Sequence, residues 1–309
     1  MTAPLPAASP RSGREGATPA SGAASGAIPP APRRPGVLRR LTRDRVAVVS
    51  AAFLVFCALL CACAPWFFPE NFYAAQDRQL GAVPPGAAHW LGTDALGRDL
   101  LARLLEGGRV SLTAGLVGTL VSVLIGTTYG IVAGWRGGRA GTVMMQGVDV
   151  LAALPFTLFV ILLTLFLGRE LIWIYAAIGA VSWLSMARIV RNETRLLKTR
   201  PFIEAAQCLG QRPARVICRH LLPNLGGVVA IYATLTVPNV MLAEAFISFL
   251  GLGIKAPMTS WGLLIKEGAD AMEECPWLLV APVAAFSSTL LALNLFGDAL
   301  RDALDPRTA

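Results

Sequence analysis

Few residues in this 309-residue chain carry types and spacings that could do chemistry. Phosphate chemistry would need a G-x4-GK[ST] loop, whose lysine reaches the phosphates. The lysines are Lys198, Lys255 and Lys266, and none follows a glycine in such a run. No nucleophile–base pair stands out. A metal would need clustered His, Cys, Asp or Glu. His89 and His220 lie far apart and are expected on opposite sides of a membrane. Of six cysteines, Cys57, Cys61 and Cys63 fall inside one apolar run, Cys208 and Cys218 are expected on the reducing side, and Cys275 faces outward or sits at an interface. They form no disulfide framework. The expectation is no catalytic residue, no metal site and no cofactor bound by this chain.

Two carboxylates stand in apolar surroundings, Asp149 and Glu244. Charge inside lipid is costly and usually faces a bundle interior or a water-filled cavity. Each could line a water-filled pathway or gate. Each could equally be a structural partner of a nearby arginine or of the backbone. Pro155 and Pro238 are expected to interrupt the same two runs. Such residues shape a cavity or simply bend a helix.

The elements that hold these residues are set by composition. Hydrophobic residues make up 55% of the chain and charged residues 15%, with a mean hydropathy of +0.59. Soluble domains carry about 25% charge. Crossing a hydrocarbon core about 30 Å thick takes roughly 20 apolar helical residues. Six runs qualify: Val46–Pro69, Val110–Trp135, Ala140–Gly168, Leu171–Ala187, His220–Ile254 and Cys275–Gly297. Backbone polar groups find no water in lipid, so only helices or closed barrels cross it. Long continuous runs exclude the alternating barrel pattern. The fold class expected is therefore all-α, a polytopic membrane protein of about six transmembrane helices.

The net charge of +8 does not point to nucleic acid, because of where the charges fall. With the N-terminus inside and alternating spans, 20 of the 27 basic residues are cytoplasmic. Arginines 11 to 45, Arg136, Arg139, the loop from Arg188 to Arg219, Arg301 and Arg307 make up that set. The positive-inside rule then selects N-in, C-in. Trp66, Trp90, Trp135, Trp173 and Trp277 fall near span ends and read as interfacial anchors. In the second run, Gly126 and Gly130 have the small-xxx-small spacing of close helix packing, and Gly115 and Gly118 extend that face.

Residues 1–40 are rich in Ala, Pro, Gly, Ser and Arg and read as a disordered cytoplasmic tail; 41–309 read as one transmembrane domain. No clear cleavage site follows the first span, which is expected to stay as an anchor. An outer segment, 70–109, ends in a helical stripe of Leu96, Leu100, Leu101, Leu104 and Leu105. Within it, Asp94, Arg98 and Asp99 could clamp one another or meet an external protein. The longest polar interruption is a cytoplasmic loop, 191–224. Pro201 suits a first helical turn, Gly210 can close that helix at φ > 0, Pro213 can open a second, and Pro223 is expected to end it. The loop reads as a two-helix elbow, a rigid knob suited to docking, or as an amphipathic connector.

These residues resemble the permease subunits of ATP-binding-cassette importers. That family's loop pattern is EAA, three residues, Gly, nine residues, Ile, one residue, Leu-Pro. Here Glu204-Ala205-Ala206, Gly210 and Leu222-Pro223 hold that spacing. His220 takes the Ile position, and Arg219-His220-Leu221-Leu222-Pro223-Asn224 is similar to the dipeptide/oligopeptide/nickel branch. The stretches His89–Leu112, Ala245–Trp261 and Leu293–Arg307 resemble the second, C-type permease of that branch. The resemblance implies one half of an importer pathway for di- or oligopeptides or related solutes, in a bacterial cytoplasmic membrane. It implies a second permease, two cytoplasmic ATPase subunits using ATP-Mg, and an external solute-binding protein. It makes Glu204, Ala205, Ala206, Gly210, Leu222 and Pro223 the ATPase-coupling residues, and Asp94, Arg98 and Asp99 candidates on the binding-protein side.

Other classes fit less well. A channel or secondary transporter would more often show paired half-repeats or several intramembrane charges. A membrane-embedded enzyme would need a clustered catalytic set.

Overall fold

The computed structural model describes residues 37–68, 72–155, 158, 159, 162, 166 and 171–304. Nearly all of the expected tail, most of the stretch 156–168 of the Ala140–Gly168 run, Arg169 and Arg307 lie outside the described residues. The ordered elements are helices: α1 (Val37–Leu41), α2 (Arg45–Phe67), α3 (Leu100–Arg136), α4 (Gly138–Ala153), α5 (Leu171–Lys198), α6 (Pro201–Cys208), α7 (Pro213–Phe249), α8 (Trp261–Asp270) and α9 (Trp277–Leu304). Of the described helices, α2, α3, α7 and α9 are long and apolar enough to cross a membrane. The fourth apolar run forms the first part of α5, and the third begins as α4, which ends before Pro155. This is the polytopic helical architecture that the sequence predicts.

Side chains fix where helices start. The Asp44 carboxylate accepts the Val46 amide at 2.9 Å ahead of α2, and Asp99 accepts the Ala102 amide at 2.9 Å ahead of α3. Both are N-caps, which take up amides that a first turn leaves unbonded. The leucine stripe of the outer segment does not form a separate surface helix. Leu96 lies in a turn, and from Leu100 the helix continues into the second span for 37 residues. At 1.5 Å per residue α3 is about 55 Å long, well beyond the hydrocarbon core.

The bundle packs with small residues inward and large ones outward. Along α3, Leu116, Leu120 and Leu124 are 57–64% exposed. On its other sides, a Cβ at Gly115 would come within 2.7 Å of Met241, and one at Gly118 within 2.7 Å of Val240, both on α7. At Gly126 and Gly130 it would come within 2.8 Å of the carbonyls of Trp183 and Ala187 on α5. Lipid tails are as apolar as leucine, so helices associate where small residues bring backbones close. The glycines therefore serve packing inside this chain. Cys61 and Cys275 are buried in one cluster with Leu100, Met241, Trp261 and Phe286, so Cys275 is a core residue rather than an outward-facing one.

Two prolines behave differently from expectation. Pro223 does not end the second elbow helix. A π-turn over Ile217–Leu221 lets the helix run on, with the Leu222 amide reaching the Ile217 carbonyl and the Asn224 side chain donating to the His220 carbonyl at 2.6 Å. The wider turn relieves the clash of a proline ring with the carbonyl four residues back. Pro238 is buried inside α7, which continues through it, so it does not interrupt the span.

The glycine contacts carry a prediction. Gly130→Val places side-chain atoms against the Ala187 carbonyl and the Arg191 amide, which cannot yield. We expect a loss of about 1–3 kcal/mol or more, read as a lower unfolding temperature in detergent. Gly147→Ala meets open space inside a helix and should hold or slightly raise that temperature.

Candidate functional site

The elbow is built from two short helices and one turn. Pro201 occupies the first turn of α6, and Pro213 the first turn of α7. Between them Gly210 adopts φ +74°, its amide donating to the Gln207 carbonyl and the Gln211 amide to the Ala206 carbonyl. This pair of bonds is a Schellman closure, which needs a left-handed residue and so favours glycine. The spacing from Glu204 to Gly210 is thus the length of one capped helical turn and a half. Glu204 sits in the first turn of α6, where the helix dipole favours a carboxylate.

The two alanines of the motif point opposite ways. Ala205 is exposed, whereas Ala206 is buried with Ile203 and Val216 against Trp135. Ala206 thus holds the two elbow helices together, and only Ala205 offers close approach from outside. The outer surface of the elbow also exposes Phe202 at 44% and Leu209 at 80%. Sequence reasoning passed over both; an unpaired apolar residue on each side of the EAA motif was the available signal. Leu222 and Pro223 are exposed beyond the π-turn.

Trp135, in the last turn of α3, bolts the elbow to the bundle. Lys198, the last residue of α5, donates to the Trp135 carbonyl at 2.7 Å and lies over the indole at 5.3 Å. The same indole packs on Ile203, Ala206 and Val216. A movement of the elbow must therefore move the ends of α3 and α5. Trp135 is accordingly a packed joint rather than a lipid anchor, in contrast to Trp66 and Trp90, which are 86% and 74% exposed.

At the start of α3 lies an ion network. The Asp94 carboxylate accepts from Arg98 Nε at 2.6 Å and Arg103 Nη1 at 2.8 Å, and from the Leu96 and Arg98 amides. Arg103 also meets Glu267 of α8 at 2.6 Å. Two carboxylates and two guanidiniums balance in charge. Asp99 accepts from the Ala102 amide and contacts His89 Nδ1 at 2.8 Å. Thr93 Oγ1 donates to the Gly81 carbonyl at 2.8 Å, and Trp277 donates to the Thr93 carbonyl at 3.3 Å. Asp94, Arg98 and Asp99 are each at most 9% exposed. Their charges are paired inside the chain, pinning 81–99 onto α3, α8 and α9.

Glu244 lies at a second joint, fully enclosed. Ser111 of α3 donates to its carboxylate at 2.9 Å and Ser248 at 2.7 Å. The Trp261 amide donates to Ser111 Oγ, Ser260 donates to Ser248, and the Leu263 amide donates to Ser260. Both arms run back to the first turn of α8, whose positive dipole end suits a carboxylate. Glu244 therefore ties α3, α7 and α8 together and has no opening to a cavity. Asp149 is different. It is exposed on α4 and pairs with Arg188 of α5 at 3.1 Å.

The comparisons with known proteins decide the family. Residues 126–309 match the binding-protein-dependent transport system inner membrane component family, and residues 36–85 match the N-terminal transmembrane domain of oligopeptide transport permease C. The chain belongs to this permease family. The oligopeptide transport system permease protein OppC of Haemophilus influenzae is 46% identical over 270 residues, covering 87% of each chain. The dipeptide transport system permease protein DppC of Bacillus subtilis is 40% identical, covering 87% of this chain and 84% of its own length. The glutathione transport system permease protein GsiD of Pectobacterium atrosepticum is 36% identical, covering 87% and 89%. Among solved structures, a chain of the inward-facing MetNI methionine ABC transporter superposes with a TM-score of 0.56 at 17% identity, over 67% of this permease and 96% of that chain. That likeness is one of fold.

The ion network yields a test. In Arg103→Met the Asp94 and Glu267 carboxylates lose one of two guanidiniums and keep Arg98. The expected cost is about 1.5–3 kcal/mol, measured by thermal unfolding in detergent. Arg109→Met, at an exposed position, should cost about 0.5 kcal/mol or less.

Proposed function

We propose that this permease forms half of the transmembrane pathway of an ATP-driven importer for di- or oligopeptides or related small solutes. The observation that carries the reading is the elbow. It exposes a small, apolar, acidic-tipped knob (Phe202, Glu204, Ala205 and Leu209) and is fastened through Trp135 and Lys198 to α3 and α5. A knob of this kind suits a cleft on an ATPase that moves with nucleotide state. The peptide cargo is supported by relatives named for oligopeptide, dipeptide and glutathione transport.

In this reading a second permease completes the pathway, two cytoplasmic ATPase subunits hydrolyse ATP-Mg, and an external solute-binding protein delivers the cargo. The chain itself carries no P-loop lysine. The N- and C-termini face the cytoplasm of a bacterium, as the arginine distribution supports. ATP-driven closure of the ATPases displaces the elbow, and the bundle exchanges between inward-open and outward-open states; each partner biases only the states it binds differently. Glu204, Ala205 and Leu209 touch the ATPase, while Gly210, Ala206, Leu222 and Pro223 shape the knob. Asp149 and the helix end before Pro155 are the pathway candidates open to solvent or cargo; Glu244 and Pro238 serve as a buried joint of the gate.

Co-purification tests this. A tagged chain taken from membranes in mild detergent is expected to bring a sister permease and two ATPases. Glu204→Arg should weaken ATPase retention about tenfold or more and leave the sister in place, as reversal of an interface charge does. A chain that purifies alone sinks the importer reading. ATPase retention unchanged by the substitution sinks the elbow assignment.

A further inference from the structure

A cluster of arginines stands apart from the elbow's docking knob and from the ion network. The Gly137–Gly138 corner, the first turns of α4 and the end of α5 enclose a cavity of about 560 Å³. Arg139, Arg191 and Arg195 line it, with Thr142 and Gln146. None of the three guanidiniums is ion-paired among the described residues. The carboxylates on the two helices are occupied elsewhere. Asp149 pairs with Arg188, and Glu193 lines a different cavity. Lys198 is held on Trp135. Arg191 packs against α3, where a Cβ at Gly134 would come within 2.8 Å of its carbonyl, and its Nε is buried without a hydrogen-bond partner.

The helix end adds to this field. Gly137 and Gly138 turn the chain at φ +61° and +51°, and Gly137 offers α4 no side-chain cap. The first amides of α4 therefore stand free beside the arginines, at the positive end of the helix dipole. Three like charges around one cavity repel each other unless an anion joins them. Tetrahedral oxyanions match arginine's fork of donors and helix-end amides.

The surroundings say where that anion comes from. Next to the cavity, Val143 and Val150 of α4 are 65% and 69% exposed, and Leu154, just past the helix end, is 51% exposed. Val143 and Val150 share one helix face, since they lie seven residues apart. Gly147 lies on the same face and leaves an open notch, with nothing within 4 Å of a Cβ built there. The feature thus has a polar, cationic head and an apolar track leading from it. We propose that this cavity binds the phosphate headgroup of an anionic phospholipid, with its acyl chains lying along the Val143–Val150 face of α4. From the importer reading it takes only that this end of the bundle faces the inner leaflet.

The test reads lipid retention, not transport. The full chain, with whatever subunits accompany it, is exchanged into phosphatidylcholine containing graded phosphatidylglycerol, and bound lipid is counted by native mass spectrometry. Each arginine near a headgroup contributes about fivefold in affinity, so Arg139→Gln, Arg191→Gln and Arg195→Gln together should lower phosphatidylglycerol retention on the order of a hundredfold. Single substitutions at the exposed Arg139 and Arg195 should give graded losses, which keeps the test open if the triple variant folds poorly. Arg136→Gln, on the same corner but outside the cavity, should retain lipid as the unaltered chain does. Equal retention by the unaltered chain and the single and triple variants overturns the site. Inorganic phosphate that displaces phosphatidylglycerol and protects equally against thermal unfolding overturns the lipid source in favour of a soluble anion. A failed importer reading shows instead in co-purification, so the two failures are separable.

Discussion

Hydrocarbon offers no hydrogen bonds, and this constraint organises the whole bundle. Every backbone amide that enters lipid must be satisfied by the chain itself, which leaves helices. Side chains that enter must be apolar, or must bring their own partners. The Glu244 carboxylate obeys this rule with two serine hydroxyls, each supplied in turn by a donor from the α7–α8 region. The Asp94–Arg98–Arg103–Glu267 network obeys it with balanced charge. Because lipid also removes any hydrophobic drive between helices, close packing falls to glycines, and the leucines turn outward.

One helix carries all three joints. Arg103 at its start belongs to the ion network, Ser111 two turns on holds Glu244, and Trp135 in its last turn grips the elbow. A continuous helix of 37 residues is stiff along its axis. It connects the elbow to the segment 81–99 without an intervening loop. The glycine contacts at Gly118, Gly126 and Gly130 set α3 directly against α7 and α5. At Gly126 and Gly130 those contacts meet backbone of α5, so they transmit displacement and do not absorb it.

Several features were legible in the residues. The elbow needed only local rules. Pro201 and Pro213 mark first turns, and Gly210 marks the left-handed closure, whatever surrounds them. The spans at Arg45–Trp66 and Trp277–Leu304 needed only their length and lack of charge. Local rules misled where a neighbour could compensate. Pro223 looked like a helix end, but a π-turn freed the carbonyl its ring would strike. Leu96 matched the helical stripe, yet Asp94 captured the backbone amides around it and made a turn.

The sequence by itself determined the helical membrane class, the placement of the elbow and the identity of the charged residues, because these follow from composition and short-range spacing. Only the tertiary structure decided which charges meet. Arg103 and Glu267 are 164 residues apart, and Ser111 and Glu244 are 133 apart. Nothing in local periodicity links such pairs. They are chosen by how the helices pack, and that packing depends on glycine contacts spread over the whole chain. For Asp94, Arg98 and Asp99 the spacing already allowed a local clamp; what the structure adds is Arg103, and Glu267 on another helix, closing that clamp beneath the surface.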